Sequence, residues 1–193
     1  MGTVYDAAGG EAGLCRLAAA WHVRVLADEV VSHAFRTGYR PDHTERLAAY
    51  WGEALGGPPT YSERYGDETS VVRIHSGNGR HEEMDQRAVA CFDQALVDAG
   101  LDADPRLRQV LHDYFAWATT TAMARWPDAA DDVPADLAVP GWSWDGPSST
   151  ATRRWHPPIA GPPSAVEPAG PPASAPTARR RGWRGPSRRG STP

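Results

Sequence analysis

Apolar side chains recur at intervals of three and four residues through most of the first 126 positions of the chain. This spacing places them on one face of an α-helix, where they can pack against a core. The longest of these stripes predict helices over 13–28, 81–98 and 105–126, and a shorter apolar segment continues over 28–35. No segment has the sustained alternation of a β-strand, so the pattern predicts an all-α domain.

A further helical stripe starts at a histidine and consists of His43, Leu47, Tyr50 and Trp51. A Gly-Gly-Pro sequence then ends the helix, because glycine adopts backbone angles that other residues avoid and proline lacks an N–H donor. Beyond a polar loop, a short apolar run over 71–74 leads directly to a second histidine, His75. Two imidazoles on opposite sides of an apolar slot suit a flat apolar ligand that carries a metal. Heme is the obvious candidate.

Charge and proline content divide the chain into unequal parts. The 193 residues carry a net charge of −4, with 40% hydrophobic and 23% charged residues, which is ordinary for a globular protein. Residues 148–193 contain eight arginines and one acid, Glu167, so they contribute +7 and leave −11 to residues 1–147. We therefore expect one folded domain over 1–127, an irregular acidic strap with tryptophans over 128–147, and a disordered basic tail after it.

The cysteine content and the start of the chain limit the protein class further. Cys15 and Cys91 are too few for a disulfide scaffold and are wrongly spaced for a zinc site, so we expect buried free thiols. The first residues do not form a basic and apolar targeting segment, and no apolar run approaches the ~20 residues that span a bilayer. We therefore expect a cytoplasmic protein.

Several short segments follow one another at a characteristic spacing between residues 3 and 126. They are 4–10, 27–30, 51–62, His75 and 91–92. In order and spacing they resemble the group II truncated hemoglobins. The resemblance implies helix pairs packed two on two around a heme b. It also implies a protein that reversibly binds dioxygen, nitric oxide or carbon monoxide, with storage or detoxification of these ligands as its expected roles.

The same resemblance implies a set of cofactor-binding residues. His75 lies where the family places its proximal iron ligand, and the expected contacts with heme and its gas ligand are His22, Phe35, His43, Leu47, Trp51 and Tyr61. Two positions depart from the family pattern: His22 replaces a tyrosine, and a common tryptophan aligns with Ala88 or Val89. His22 and His43 are then the polar candidates above the iron. They would hold bound dioxygen, bind the iron directly, or serve only as polar edge residues.

Two other functional classes fit the same sequence. One is a heme-free all-α interaction module. The other is a heme enzyme, a peroxidase or nitric oxide dioxygenase, which would need an external reductase because no reductase domain fits in the chain. In either case the arginines at 179–181, 184 and 188–189, which flank Trp183, suit an anionic partner such as nucleic acid.

Overall fold

The computed structural model describes residues 2–148, and helices account for most of this part up to residue 125. The α-helices are α1 Val4–Ala7, α2 Gly10–Ala27, α3 His43–Ala54, α4 Thr60–Arg64, α5 Glu68–Ile74, α6 Glu82–Asp98 and α7 Pro105–Trp117. Short 3-10 helices cover Val31–Phe35, Met123–Arg125 and Ala130–Asp132, and a π-helix covers Ala118–Ala122. Among these residues no helix is both long and apolar enough to cross a membrane.

The core lies where α2 and α3 pack on α6 and α7. At its centre the rings of Phe92 and Phe115 stack in parallel with their centroids 4.1 Å apart, and the Trp51 ring meets both edge-on. Trp21 of α2 joins this aromatic group through Trp51 and Phe115. Each helix therefore contributes at least one large ring to a single core. The predicted two-on-two, all-α globin fold is confirmed.

The start of α2 depends on a glycine in close contact with backbone. Gly9, at a φ of 85°, turns the chain after α1, and α2 begins at Gly10, three residues before the predicted start. A Cβ atom on Gly13 would lie 1.7 Å from the carbonyl oxygen of Ala8. Only glycine therefore lets the first turn of α2 approach α1 this closely.

The structure differs from what the sequence pattern indicates in three places. Asp42 precedes α3 at a position where aspartate commonly caps a helix, yet its carboxylate instead forms ion pairs with Arg40 and Arg46. The helix predicted to end at residue 126 leaves α geometry after Trp117, in a threonine-rich segment where the Thr120 hydroxyl donates to the carbonyl oxygen of Ala116. Side-chain bonds of this kind compete with the helical ladder. The helices α4 and α5 replace what the pattern indicated as a loop and a short apolar run.

The strap, residues 128–147, packs on the helices and ends in a small hairpin. Strands β1 (Trp142–Ser143) and β2 (Gly146–Pro147) pair in antiparallel fashion, with Trp142 opposite Pro147. The buried Trp142 ring packs on the rings of Tyr114 and Trp117 in α7.

The hairpin also reaches the start of the chain. The indole N–H of Trp144 donates to the carbonyl oxygen of Gly2 at 2.9 Å, and the Arg106 guanidinium lies 4.8 Å from the centre of the Trp144 ring. The first and last described segments of the chain are therefore adjacent. The basic tail predicted over 148–193 lies outside the described residues except for Ser148, and its anionic partner stays a prediction.

Candidate functional site

His75 occupies the end of α5, and its ring is oriented by the helix itself. Its Nδ1 lies 2.8 Å from the carbonyl oxygen of Val71, one turn earlier. A carbonyl oxygen only accepts, so Nδ1 carries the proton and donates it. The lone pair on Nε2 is then available for a metal, and a bond of this kind is the usual way in which a metal-binding imidazole is oriented.

The surroundings of His75 keep the imidazole neutral. Its ring is accessible to solvent, yet burial lowers its pKa, whereas the bond to Val71 and the charge of Asp85 act more weakly in the opposite direction. Because metals bind the unprotonated nitrogen, the lowered pKa favours the ligating form.

Four aromatic rings form a cluster apart from His75, and they come from α2, the segment between α2 and α3, and the start of α3. The ring of His22, in α2, lies 5.0 Å from that of His43 and 4.4 Å from that of Tyr39, measured between centroids. The Phe35 ring lies 5.6 Å from the rings of both histidines. The 3-10 helix Val31–Phe35 and the turn after it therefore bring Phe35 and Tyr39 against the start of α3.

The polar atoms of this cluster are incompletely paired. His22 Nδ1 lies 3.3 Å from the Thr44 hydroxyl, whereas His22 Nε2 and His43 Nδ1 are buried and have no hydrogen-bond partner in the described part of the chain. Leaving a buried polar atom unpaired costs about 1–3 kcal/mol. A site with two such nitrogens therefore favours a small ligand with which they can form hydrogen bonds.

Their surroundings keep the imidazoles of the candidate site neutral. Burial lowers the pKa of His43 most, and the charge of a protonated His22 lowers it further; Asp42 raises it, and His75 has the smallest effect, a lowering one. Burial also lowers the pKa of His22. Together with His75, the candidate site therefore has three imidazoles that are neutral near pH 7.

The structure distributes the six predicted site residues other than His75 over three places. His22, Phe35 and His43 lie together, and Leu47 is half-buried one turn further along α3. Trp51, only 3% exposed, belongs to the aromatic core described above. Tyr61 is buried in another group, where its ring lies edge-on to that of Tyr50.

Sequence reasoning missed Tyr39 and Thr44. Tyr39 lies in a segment whose glycine and proline indicate a turn, and its ring contacts follow only from the fold. Thr44 is one residue beyond His43, but its bond to His22 spans 22 positions and has no local signal. Ala88 is one of the two positions at which the resemblance implies an indole. It is buried, and its carbonyl accepts a hydrogen bond from the Trp21 indole at 3.3 Å.

Comparison with known proteins gives a consistent result. A family model described as bacterial-like globin matches residues 3–120. The solved hemoglobin of Chloroflexus aurantiacus is 29% identical, with a TM-score of 0.54 over 64% of this chain and 98% of that one. The hemoglobin of Thermobifida fusca is 31% identical, with a TM-score of 0.54 over 65% and 99% of the two chains.

A third structure extends the likeness in fold. The group II truncated hemoglobin of Bacillus anthracis has a TM-score of 0.56 at 21% identity, over 66% of this chain and 94% of that one. No curated protein matches the chain significantly. The resemblance to truncated hemoglobins is confirmed, and the chain belongs to the bacterial-like globin family.

Proposed function

We propose that the protein binds heme b and, through it, reversibly binds dioxygen and related diatomic ligands. One observation carries this proposal. His75 donates from Nδ1 to the carbonyl of Val71 and keeps Nε2 for a metal, and two nitrogens of the His22–His43 pair are buried without a hydrogen-bond partner in the described part of the chain. Storage or detoxification of such ligands would follow from this chemistry.

The residues of the site fit heme. His75 would bind the iron from the proximal side, and Phe35 and Leu47 would supply apolar contacts with the macrocycle. Above the iron, the unpaired nitrogens of His22 and His43 suit a small polar ligand. Heme supplies, when bound, a ferrous iron with a position open to a diatomic gas.

The protein side of this chemistry is orientation and hydrogen bonding. The Val71 carbonyl fixes the plane of the His75 ring and raises its basicity toward a metal. A neutral imidazole has one N–H, so His22 and His43 can each donate one hydrogen bond to a ligand with partial negative charge. The Thr44 hydroxyl holds the His22 ring and thereby decides which of its nitrogens faces the ligand.

The absorption spectrum of the purified full-length protein tests the proposal. We expect a sharp Soret band, and a reversible shift of the ferrous spectrum when dioxygen is added and removed. A protein that shows no Soret band after expression with added heme precursor, and none after mixing with hemin, would instead be a heme-free interaction module.

Replacing either distal histidine should speed dioxygen release. A neutral hydrogen bond contributes about 0.5–1.5 kcal/mol, so His22→Leu and His43→Leu are each expected to raise the release rate roughly two- to tenfold. The double variant should be non-additive, because the two rings share one cluster. Stopped-flow mixing of the oxygenated protein with dithionite measures these rates.

His33→Leu provides the matched control, since His33 lies on the exposed side of its 3-10 helix. If the release rate in both distal variants equalled that of this control, His22 and His43 would be edge residues only. The same variants test whether His43 binds the iron directly. In that case the ferrous protein without gas would be low-spin, and His43→Leu would make it high-spin.

A further inference from the structure

The strap, residues 128–147, lies beyond the part of the chain that the family model matches. Its hairpin packs on α7, whereas its earlier part contacts α5, the helix that ends at His75. This helix has seven residues, and helices of that length are not stable alone in water because their few hydrogen bonds do not offset the cost of nucleation. The position of α5, and with it that of the His75 ring, therefore depends on what packs against the helix.

Three hydrogen bonds tie the strap to α5. The Thr69 hydroxyl donates to the carbonyl oxygen of Pro134 at 3.1 Å and accepts from the backbone N–H of Leu137 at 3.0 Å. One turn later, the Arg73 guanidinium lies 3.4 Å from the carbonyl oxygen of Val133. Thr69 is 7% exposed, so its two bonds to the strap are largely sheltered from water, whereas Arg73 forms its bond at an exposed position.

The loop that follows His75 is held by the residues just before the strap. The backbone N–H of Gly77 donates to the carbonyl of Trp126 at 3.0 Å, and that of Gly79 donates to the carbonyl of Pro127 at 2.9 Å. Gly77 has a φ of 73°, and a Cβ there would lie 3.0 Å from the nitrogen of Ala130. His75 thus lies between two segments that are both fixed to the same stretch of chain.

We propose that the strap supports α5 and thereby sets the orientation of the His75 ring, with Thr69 as the main positioning residue. This inference rests on the proposed heme function. The Thr69 hydroxyl donates one hydrogen bond to the strap and accepts another from it. These two bonds fix the position of α5 both along its helix axis and against the strap. The strap thereby controls the strength of the bond between His75 and the iron.

The test compares full-length Thr69→Val with Thr69→Ser. Valine keeps the shape of threonine and removes both hydrogen bonds, whereas serine keeps the hydroxyl. In the valine variant we expect roughly tenfold faster amide exchange over 68–75 in the heme-free protein, because α5 loses both hydrogen bonds between Thr69 and the strap. In the heme-loaded ferrous protein we expect a shifted or broadened iron–histidine stretching band by resonance Raman. The serine variant should match the wild type in both.

Separate outcomes identify separate failures. An unchanged Raman band in a valine variant with a lowered melting temperature would show that the strap only stabilises the fold, and would overturn the proposal. If the wild type retains no heme, the heme function fails, while amide exchange over 68–75 still reports whether the strap holds α5. Should the valine variant not fold, Arg73→Met removes the third bond at an exposed position, and its effects are expected in the same direction.

Discussion

Replacing His75 with alanine is expected to abolish heme retention or to weaken it more than about a hundredfold. Losing a group that merely orients a metal ligand already costs 10–100-fold in metal affinity, and here the ligand itself is removed. The other described histidines are placed differently. His22 and His43 lie in the four-ring cluster, His33 and His81 are exposed, and His112 is paired with Asp93.

The ratio of heme to protein after purification measures this loss, together with the rate of heme transfer to an acceptor globin. His81→Ala is the matched control, because His81 is an exposed imidazole six residues further along the chain. A His75→Ala protein with full heme content and an unchanged ferrous spectrum would show that the proximal ligand is another residue. If His43 retains some heme in the variant, adding His43→Leu should remove it.

The second large effect concerns Glu68, a buried carboxyl group at the start of α5. It is 4% exposed, and the Tyr50 hydroxyl donates to its Oε2 at 2.8 Å. Burial raises the pKa of Glu68 from 4.5 to about 8. The charges of Glu53 and Asp67 add to this increase, whereas the bond from Tyr50 acts against it. Glu68 is therefore largely protonated in the folded protein at pH 7.

The pH dependence of stability follows from the difference between the pKa of Glu68 in the folded protein, about 8, and its ordinary value of 4.5 in the unfolded chain. Between pH 4.5 and about 8 the folded state holds a proton that the unfolded state has released, so the free energy of unfolding falls as the pH rises. At about 1.4 kcal/mol per unit, the fall attributable to Glu68 is at most about 5 kcal/mol. Glu68→Gln removes the ionisation while keeping an acceptor for Tyr50. Its stability should therefore decrease much less over this pH range.

Urea unfolding of the heme-free protein at pH 5, 7 and 9 measures the effect. The slope of stability against pH is the decisive quantity, because the new amide N–H groups shift the absolute stability by a constant amount. Glu63→Gln is the control, since Glu63 is an exposed carboxylate in α4. Parallel curves for Glu68→Gln and the wild type would mean that Glu68 is already ionised in the folded protein.

The sequence predicted the long helices well and the short ones poorly. The helices α2, α3, α6 and α7 have enough turns for an apolar face to repeat, so their periodicity is visible in the sequence. With five and seven residues, α4 and α5 span two turns or fewer, and no repeat can be recognised in so short a segment. Their positions depend on tertiary contacts, such as those of Thr69 with the strap.

The candidate site shows a similar division. His75 and His43 could be selected because each lies next to an apolar pattern and the family resemblance placed them in one pocket. Thr44 and Tyr39 could not, because their contacts with His22 bring together residues that are 22 and 17 positions apart. Trp51 shares a helix face with His43, and its ring packs in the aromatic core. Helical spacing alone did not show those protein contacts, and its contact with heme stays a prediction.

The hydrogen bond from Trp144 to Gly2 has a consequence for how the protein opens locally. Segments at the edge of a domain usually fray independently of each other, and fraying is the cheapest local opening of a domain. Here the first described residues and the hairpin are joined to each other, so opening one of them breaks a contact of the other. Amide protons near the first helix and in the terminal hairpin should therefore exchange through one shared opening, with the same free energy and the same response to denaturant.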